Sequence, residues 1–334
     1  KIWITNPLEH RSRKAYRDMF REYRGYIETL AQLNIRRDGL VVPLPKKRPL
    51  RCVQPVYPHD WGVAYLGRAG FPYRTGIARK GDVVAMLAGD VQYFNDDELK
   101  QFLAGPLVLD GAAAVEFVRR GFAKEIGVNA KPWSGKTITA EDYGKVYRGG
   151  TVNSAADLRD RNPKSKELSK FYHKVSGSKD APEYLAPGTI MFDNELGGKV
   201  LVLAPYMPRY VGLQQYVYYT EARKEQLAEL FKMVNGGKMP GRMYYCGDAP
   251  MMCQSGVAAD GTDILFLDNV DLDTVDGVEL GVSGGKVKSF ERLAGDGTWH
   301  SVSFKQVKDI VTLYTAVETL RPAVFRFKFD PNGK

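Results

Sequence analysis

The chain has 334 residues, of which 44% are hydrophobic, and a net charge of +9. That length holds about two domains at roughly 150 residues each. No apolar run approaches the ~18 residues that suggest a membrane-spanning helix, so no membrane span is expected. Residues 1–51 carry 13 Lys/Arg against 5 Asp/Glu, and so hold nearly all the excess charge. A basic face of this kind can bind nucleic acid. Only Lys46-Lys47-Arg48 is a true run, however, and no interleaved aromatic pattern accompanies it. A solvated helix surface is the preferred reading, and nucleic acid is not expected as a partner. The opening Lys1-Ile2-Trp3-Ile4 is already strand-like and lacks an initiator Met, which reads as a piece of a longer protein.

Three cysteines (Cys52, Cys246, Cys253) form no disulfide framework and no Cys-x-x-Cys. A Cys246–Cys253 bridge is open but not implied. The four histidines (His10, His59, His173, His300) are far apart, with no zinc-binding spacing. No metal and no cofactor is expected.

In chain order, residues 13–35 read as an amphipathic helix, with Tyr16, Met19, Phe20, Tyr23, Ile27 and Leu30 on one face. Leu40–Leu44 reads as a strand, followed by a Pro-rich basic loop to Pro58. Trp61–Ala69 reads as a helix ending at Gly70, and Tyr73–Ile77 as a strand. Asp82–Val128 then reads as strand, helix, strand, helix. Val83–Ala88 and Leu107–Leu109 are apolar runs suited to buried parallel strands. Asn95 with Glu98 three residues on makes a capping box. Val115, Val118, Phe122 and Ile126 lie at helical spacing. Strands alternating with helices predict an α/β domain, doubly wound with a mostly parallel sheet and flavodoxin-like layers. Residues 129–187 break that rhythm and read as an insertion, with a short helix over Ser165–His173. Thr189–Phe192 and Lys199–Ala204 are expected strands, and Glu221–Val234 a helix ended by Asn235-Gly236-Gly237.

After Gly237 short alternating runs appear at Met243–Cys246, Ile264–Leu267, Val278–Val282, Val287–Leu293, Trp299–Phe304 and Val324–Phe329. Asp260-Gly261 and Asp296-Gly297 are hairpin signals. These residues predict a small antiparallel β-sandwich. The expected domains are therefore a linker helix at 1–37, an α/β domain at 38–236 with an insertion near 130–187, and a sandwich at 237–334.

Candidate chemistry is sparse. Gly135-Lys136-Thr137 lacks the earlier Gly and the preceding strand of a phosphate loop, position 130 being Ala. Asp90 and Asp110 each follow an apolar strand, where ligands gather in open α/β sheets. Two carboxylates there could act as acid and base on a glycosidic bond. Asp also caps helices and turns, and that reading is preferred. His59 and Trp61, in the loop before the second helix, could stack on a sugar ring, or Asp60 could simply cap that helix. Cys52 lies outside any nucleophile elbow, and His59 is the only histidine near it in sequence.

The segments Leu-Ala-Gly-Asp, Asn-Asp-Asp-Glu-Leu, Leu-Val-Leu-Asp-Gly-Ala-Ala-Ala and Arg-Arg-Gly-Phe within Asp82–Val128 carry a resemblance. They resemble the glutamine-amidotransferase-like domain that follows the catalytic barrel in large bacterial glycoside hydrolases, such as family 42 β-galactosidases. Gly197–Tyr206, Arg223–Leu230 and Asp260–Asp271 resemble that family's late strand, last helix and the opening of its C-terminal β domain. The family's domain lacks the amidotransferase nucleophile, and Asp110-Gly111 here fits that loss. The resemblance implies a non-catalytic part of a carbohydrate-active enzyme, serving assembly, barrel support and cleft shaping. The catalytic glutamates lie in a barrel with no counterpart in these residues. The implied partners are carbohydrate through a parent enzyme, and either a catalytic barrel or further copies in a homo-oligomer. Export to the periplasm or medium follows by analogy. Two alternatives stand beside it: a free-standing sugar-binding or oligomerisation module, and a hydrolase using Asp90 or Asp110.

Overall fold

A computed structural model describes residues 24–45, 65–144, 147–152, 154–174, 177, 179–206, 220–319 and 321–330. Described residues within 1–39, 66–74 and 239–334 form one compact unit, and those within 40–65 and 75–238 form a second. Strand makes up 43% of the described residues and helix 20%.

Eight strands of the second unit lie in one sheet. Their order is Leu40–Pro43, Val84–Met86, Pro106–Asp110, Lys199–Leu203, Glu183–Asp193, Lys166–His173, Ile138–Asp142 and Tyr147–Val152. Leu40–Pro43, Val84–Met86, Pro106–Asp110 and Lys199–Leu203 pair in parallel. From Lys199–Leu203 outward every pairing is antiparallel. The expected doubly wound, mostly parallel sheet is therefore corrected to a mixed sheet in a mostly β protein. The physical reason lies in residues 129–187. Among the described residues no helical crossover returns the chain there, and strands joined by short connections pair antiparallel.

The same stretch corrects the expected helix at Ser165–His173, since Lys166–His173 is a strand. Only Ser169 and Phe171 are buried along it, so its lysines face outward and dilute the strand signal. The helices of this unit have local causes. Asn95 accepts a hydrogen bond from Glu98 N at 2.9 Å, and the Glu98 carboxylate accepts from Asn95 N at 3.1 Å, which starts Asp96–Leu103. Gly111–Arg119 and Ala123–Ile126 are separate helices, broken at Gly121 with φ +89°. Ala113, Ala114 and Phe117 are buried, as are the expected Phe122 and Ile126, whereas Val115 and Val118 are half-buried. Thr220 caps Glu221–Val234. That helix buries Leu227, Leu230, Phe231 and Val234, and also Arg223, Lys224 and Gln226.

The first unit has two antiparallel sheets around a common core. The six-stranded sheet runs Arg36–Arg37, Met251–Val257, Asp263–Asn269, Ala323–Phe329, Val287–Leu293, Trp299–Ser301. The four-stranded sheet runs Met243–Tyr245, Val275–Val282, Ile310–Val317, Phe304–Val307. Cys253, Leu265, Leu267, Phe325 and Phe327 from the first sheet pack with Met243, Val278, Leu280, Val311 and Leu313 from the second. The run Trp299–Phe304, expected as one strand, splits between the two sheets, and Met251–Val257 and Ile310–Val317 are strands that the sequence pattern did not reveal. Asp260 and Asp296 accept from Thr262 N and Thr298 N at 2.9 Å, closing the two expected hairpins.

Helix Arg24–Leu33 lies on the outer face of the six-stranded sheet. Tyr26, Leu30 and Leu33 pack there with Ile264, Leu293, Val324 and Trp299. The approach is close, because a Cβ on Gly25 would stand 2.2 Å from the Asp296 carbonyl oxygen. The part of the expected helix before Arg24 lies outside the described residues.

Candidate functional site

Two places bear on function, one in each unit. In the second unit the parallel strand Pro106–Asp110 leads directly into the helix Gly111–Arg119. Asp110 is fully buried, and its Oδ1 accepts a hydrogen bond from Ala113 N at 2.8 Å. This is an N-cap, favourable to the helix that starts at Gly111. The turn is closed from above: Gly111 N donates to Pro205 O at 3.2 Å, and a Cβ on Gly111 would stand 2.0 Å from Ala204 O. Burial, with the Asp110 charge second, raises the Tyr206 phenol beside this turn. Asp90 falls in the short 3-10 segment Ala88–Tyr93. His59, Trp61 and Cys52 lie outside the described residues. Cys246 and Cys253 are thiols and not a disulfide, and burial drives the fully enclosed Cys253 thiol upward.

The same unit contains a polar cluster that no sequence signal announced. Arg223 donates to Glu141 Oε2 at 2.8 Å and to Gln226 Oε1 at 2.9 Å, while Gln226 Nε2 donates to Glu141 Oε1 at 2.8 Å. All three side chains are buried. Charges taken from water this completely persist only when paired and hydrogen-bonded. The hydrogen bonds among the three side chains mark the triangle as a structural clasp. Glu141 comes from strand Ile138–Asp142 in the expected insertion near 130–187, so only folding brings it to the helix.

The first unit contains a cavity of about 460 Å³ between helix Arg24–Leu33 and the outer face of the six-stranded sheet. That size is in the range of small-molecule sites, about 300–1,000 Å³. Register places Met252 opposite Asp268, and Gln254 opposite Phe266. Alternation then puts all four on one face of the sheet, and all four line the cavity with Leu30 and Tyr73. Gln254 Oε1 and Asp268 Oδ1 are buried there with no hydrogen-bond partner among the described residues. Burial raises the Asp268 carboxyl. Arg37 also lines the cavity and is exposed.

Next to it stands a paired acidic group. Ser255 donates its hydroxyl to Asp38 Oδ1. Arg242 Nε lies 3.8 Å from Asp38 Oδ2 and 3.0 Å from Asp263 Oδ1, an ion pair without hydrogen-bond alignment. Burial raises both carboxyls, and Arg242 offsets that only in part. Among the described residues no group of His, Cys, Asp and Glu could hold a metal ion, and no helix is long and apolar enough to cross a membrane.

No protein-family model matches the chain, and no curated protein matches it. Solved structures do. The chain is similar to α-L-fucosidase isoenzyme 2 from Paenibacillus thiaminolyticus, with a TM-score of 0.54 and 13% identity over 95% of this chain and 52% of that one. It is more loosely similar to Gan42B, a GH42 β-galactosidase, with a TM-score of 0.44 and 9% identity over 88% of this chain and 41% of that one. A rhamnosidase from Novosphingobium sp. PP1Y gives 0.41 and 11% identity over 96% and 25%. These neighbours are glycoside hydrolases. The likeness to the fucosidase shows a shared fold, and the chain spans about half of that enzyme's length.

Proposed function

We propose that this chain is a non-catalytic part of a carbohydrate-active enzyme, serving assembly and the support of a catalytic domain. The observation that carries the proposal is the fold shared with about half of a fucosidase. The state of Asp110 supports it: the carboxylate at the strand-to-helix turn is enclosed and committed to Ala113 N. A general acid or base must reach the proton it moves, and this one faces its own helix. The resemblance of Asp82–Val128 to the domain behind the barrel of family 42 β-galactosidases gives the same role.

Two measurements test it. The purified chain should not turn over nitrophenyl glycosides, while the longer gene product containing it should. Light scattering should show either a homo-oligomer or a stable complex with the separately expressed catalytic portion. Turnover by the chain alone that vanishes in Asp110→Asn would overturn the proposal.

A further inference from the structure

Arg36–Arg37 is a two-residue strand at the edge of the six-stranded sheet, where Arg36 pairs with Val257 and Arg37 with Gly256. Both arginines are exposed, so the strand itself buries no apolar side chain. Its next residue fastens it: Asp38 N donates to Ser255 O at 3.1 Å, and the Ser255 hydroxyl donates to Asp38 Oδ1. Between Gly39 and Leu40 the chain then passes from the first unit to the second. Beside Asp38 the charges do not balance. Arg242 Nε stands 3.8 Å from Asp38 Oδ2 and 3.0 Å from Asp263 Oδ1, so one guanidinium faces two half-buried carboxyls. With both ionised, the group carries one uncompensated negative charge. With one protonated, its charges cancel.

We infer that Asp38, Asp263 and Arg242 form a proton-dependent latch, which holds the edge strand Arg36–Arg37 on the sheet in acid and loosens it as pH rises. Two carboxyls that share a site resist double ionisation, and a single arginine can compensate only one of them. Burial raises Asp38, with Ser255 and Arg242 offsetting part of the rise. Burial raises Asp263 as well; Arg242 opposes the rise and the Asp38 charge adds to it. The other titratable group facing Asp38 is the Cys253 thiol, which burial drives upward and so keeps neutral. Arginines hold their charge throughout, so only the two carboxyls titrate. Their closed-state values lie above that of a solvated Asp, near pH ~4. The closed strand therefore binds the extra proton and opening releases it, which favours closure in acid and weakens it as pH rises through the closed-state values. Loosening frees the chain where it leaves the first unit. The latch lies wholly within that unit and is independent of the enzyme reading above.

Hydrogen exchange of the full chain is the test. The protection factor of the Asp38 amide, taken relative to that of Leu265 in the central strand Asp263–Asn269, should fall severalfold from about pH 5 to about pH 8. Trypsin cleavage after Arg36 and Arg37, scaled to a peptide of the same sequence, should rise over the same range. Both trends should vanish in Asp38→Asn. They should vanish in Asp263→Asn too, because Arg242 then has a single carboxylate to pair with. Asp268→Asn, which alters a raised carboxyl outside the latch, should retain them. The parent profile is decisive whether or not the variants fold: protection that stays level or rises with pH overturns the inference. So does a trend that persists in Asp38→Asn or Asp263→Asn, or one that disappears in Asp268→Asn.

Discussion

Glu141 and Arg223 stand 82 positions apart in the chain and 2.8 Å apart in the fold, both almost wholly buried. Their contact fastens the antiparallel extension of the large sheet to the helix Glu221–Val234. Removing one partner leaves an uncompensated buried charge, which costs about 3–5 kcal/mol. Glu141→Ala should therefore lower the urea midpoint sharply with little change in slope. Glu141→Gln, which keeps the hydrogen-bonding oxygen, should cost less. Equal stability of Glu141→Ala and the parent chain would show that the clasp is dispensable.

Asp110 separates capping from catalysis. Asn caps a helix about as well as Asp, and Ala does not. Asp110→Asn should leave the thermal midpoint nearly unchanged, and Asp110→Ala should cost about 0.5–2 kcal/mol. Thermal melts of the two variants, run side by side, decide the point. A large loss in Asp110→Asn would mean that the charge matters beyond the cap.

The buried carboxyls give a pH dependence with a definite sign. Burial raises Asp38, Asp263 and Asp268 in the folded chain, while an unfolded Asp titrates near pH ~4. Between those values the native state binds more protons, so these three contribute stability that is present in acid and lost as pH rises through their folded values. Asp268→Asn removes one such loss. Its stability advantage over the parent chain should grow from about pH 4 to about pH 7, as followed by urea midpoints. A gap constant across that range would show that Asp268 is well solvated.

Gly25 is fixed by the packing of its helix on the hairpin turn at Asp296. A helical Gly is ordinarily improved by Ala, but here the added methyl would meet the Asp296 carbonyl at 2.2 Å. Gly25→Ala should therefore destabilise, by about 1–3 kcal/mol. Hydrogen exchange should show faster exchange in residues 26–33 than in the parent. Stabilisation by this substitution would mean that the helix docks more loosely than its contacts require.

Several local signals fold as the residues announce them. The capping box at Asn95 and Glu98, the Asp-Gly hairpins at 260–261 and 296–297 and the helix Glu221–Val234 depend on neighbours within a few positions. Their signals sit in the sequence itself. The buried face of Gly111–Arg119 does not follow the hydropathy ranking, which favours Val115 and Val118. The fold buries Ala113, Ala114 and Phe117.

By itself the sequence determined the caps, the hairpin turns and the absence of a nucleophile at Asp110-Gly111. Tertiary structure alone decided that residues 138–193 complete the large sheet, that Glu141 meets Arg223, and that Gln254 and Asp268 share one cavity. The reason is physical. Caps and turns are settled by bonds within a few residues. Strand pairing and the burial of a charge depend on partners that are distant in sequence, and no local pattern records which partner will arrive.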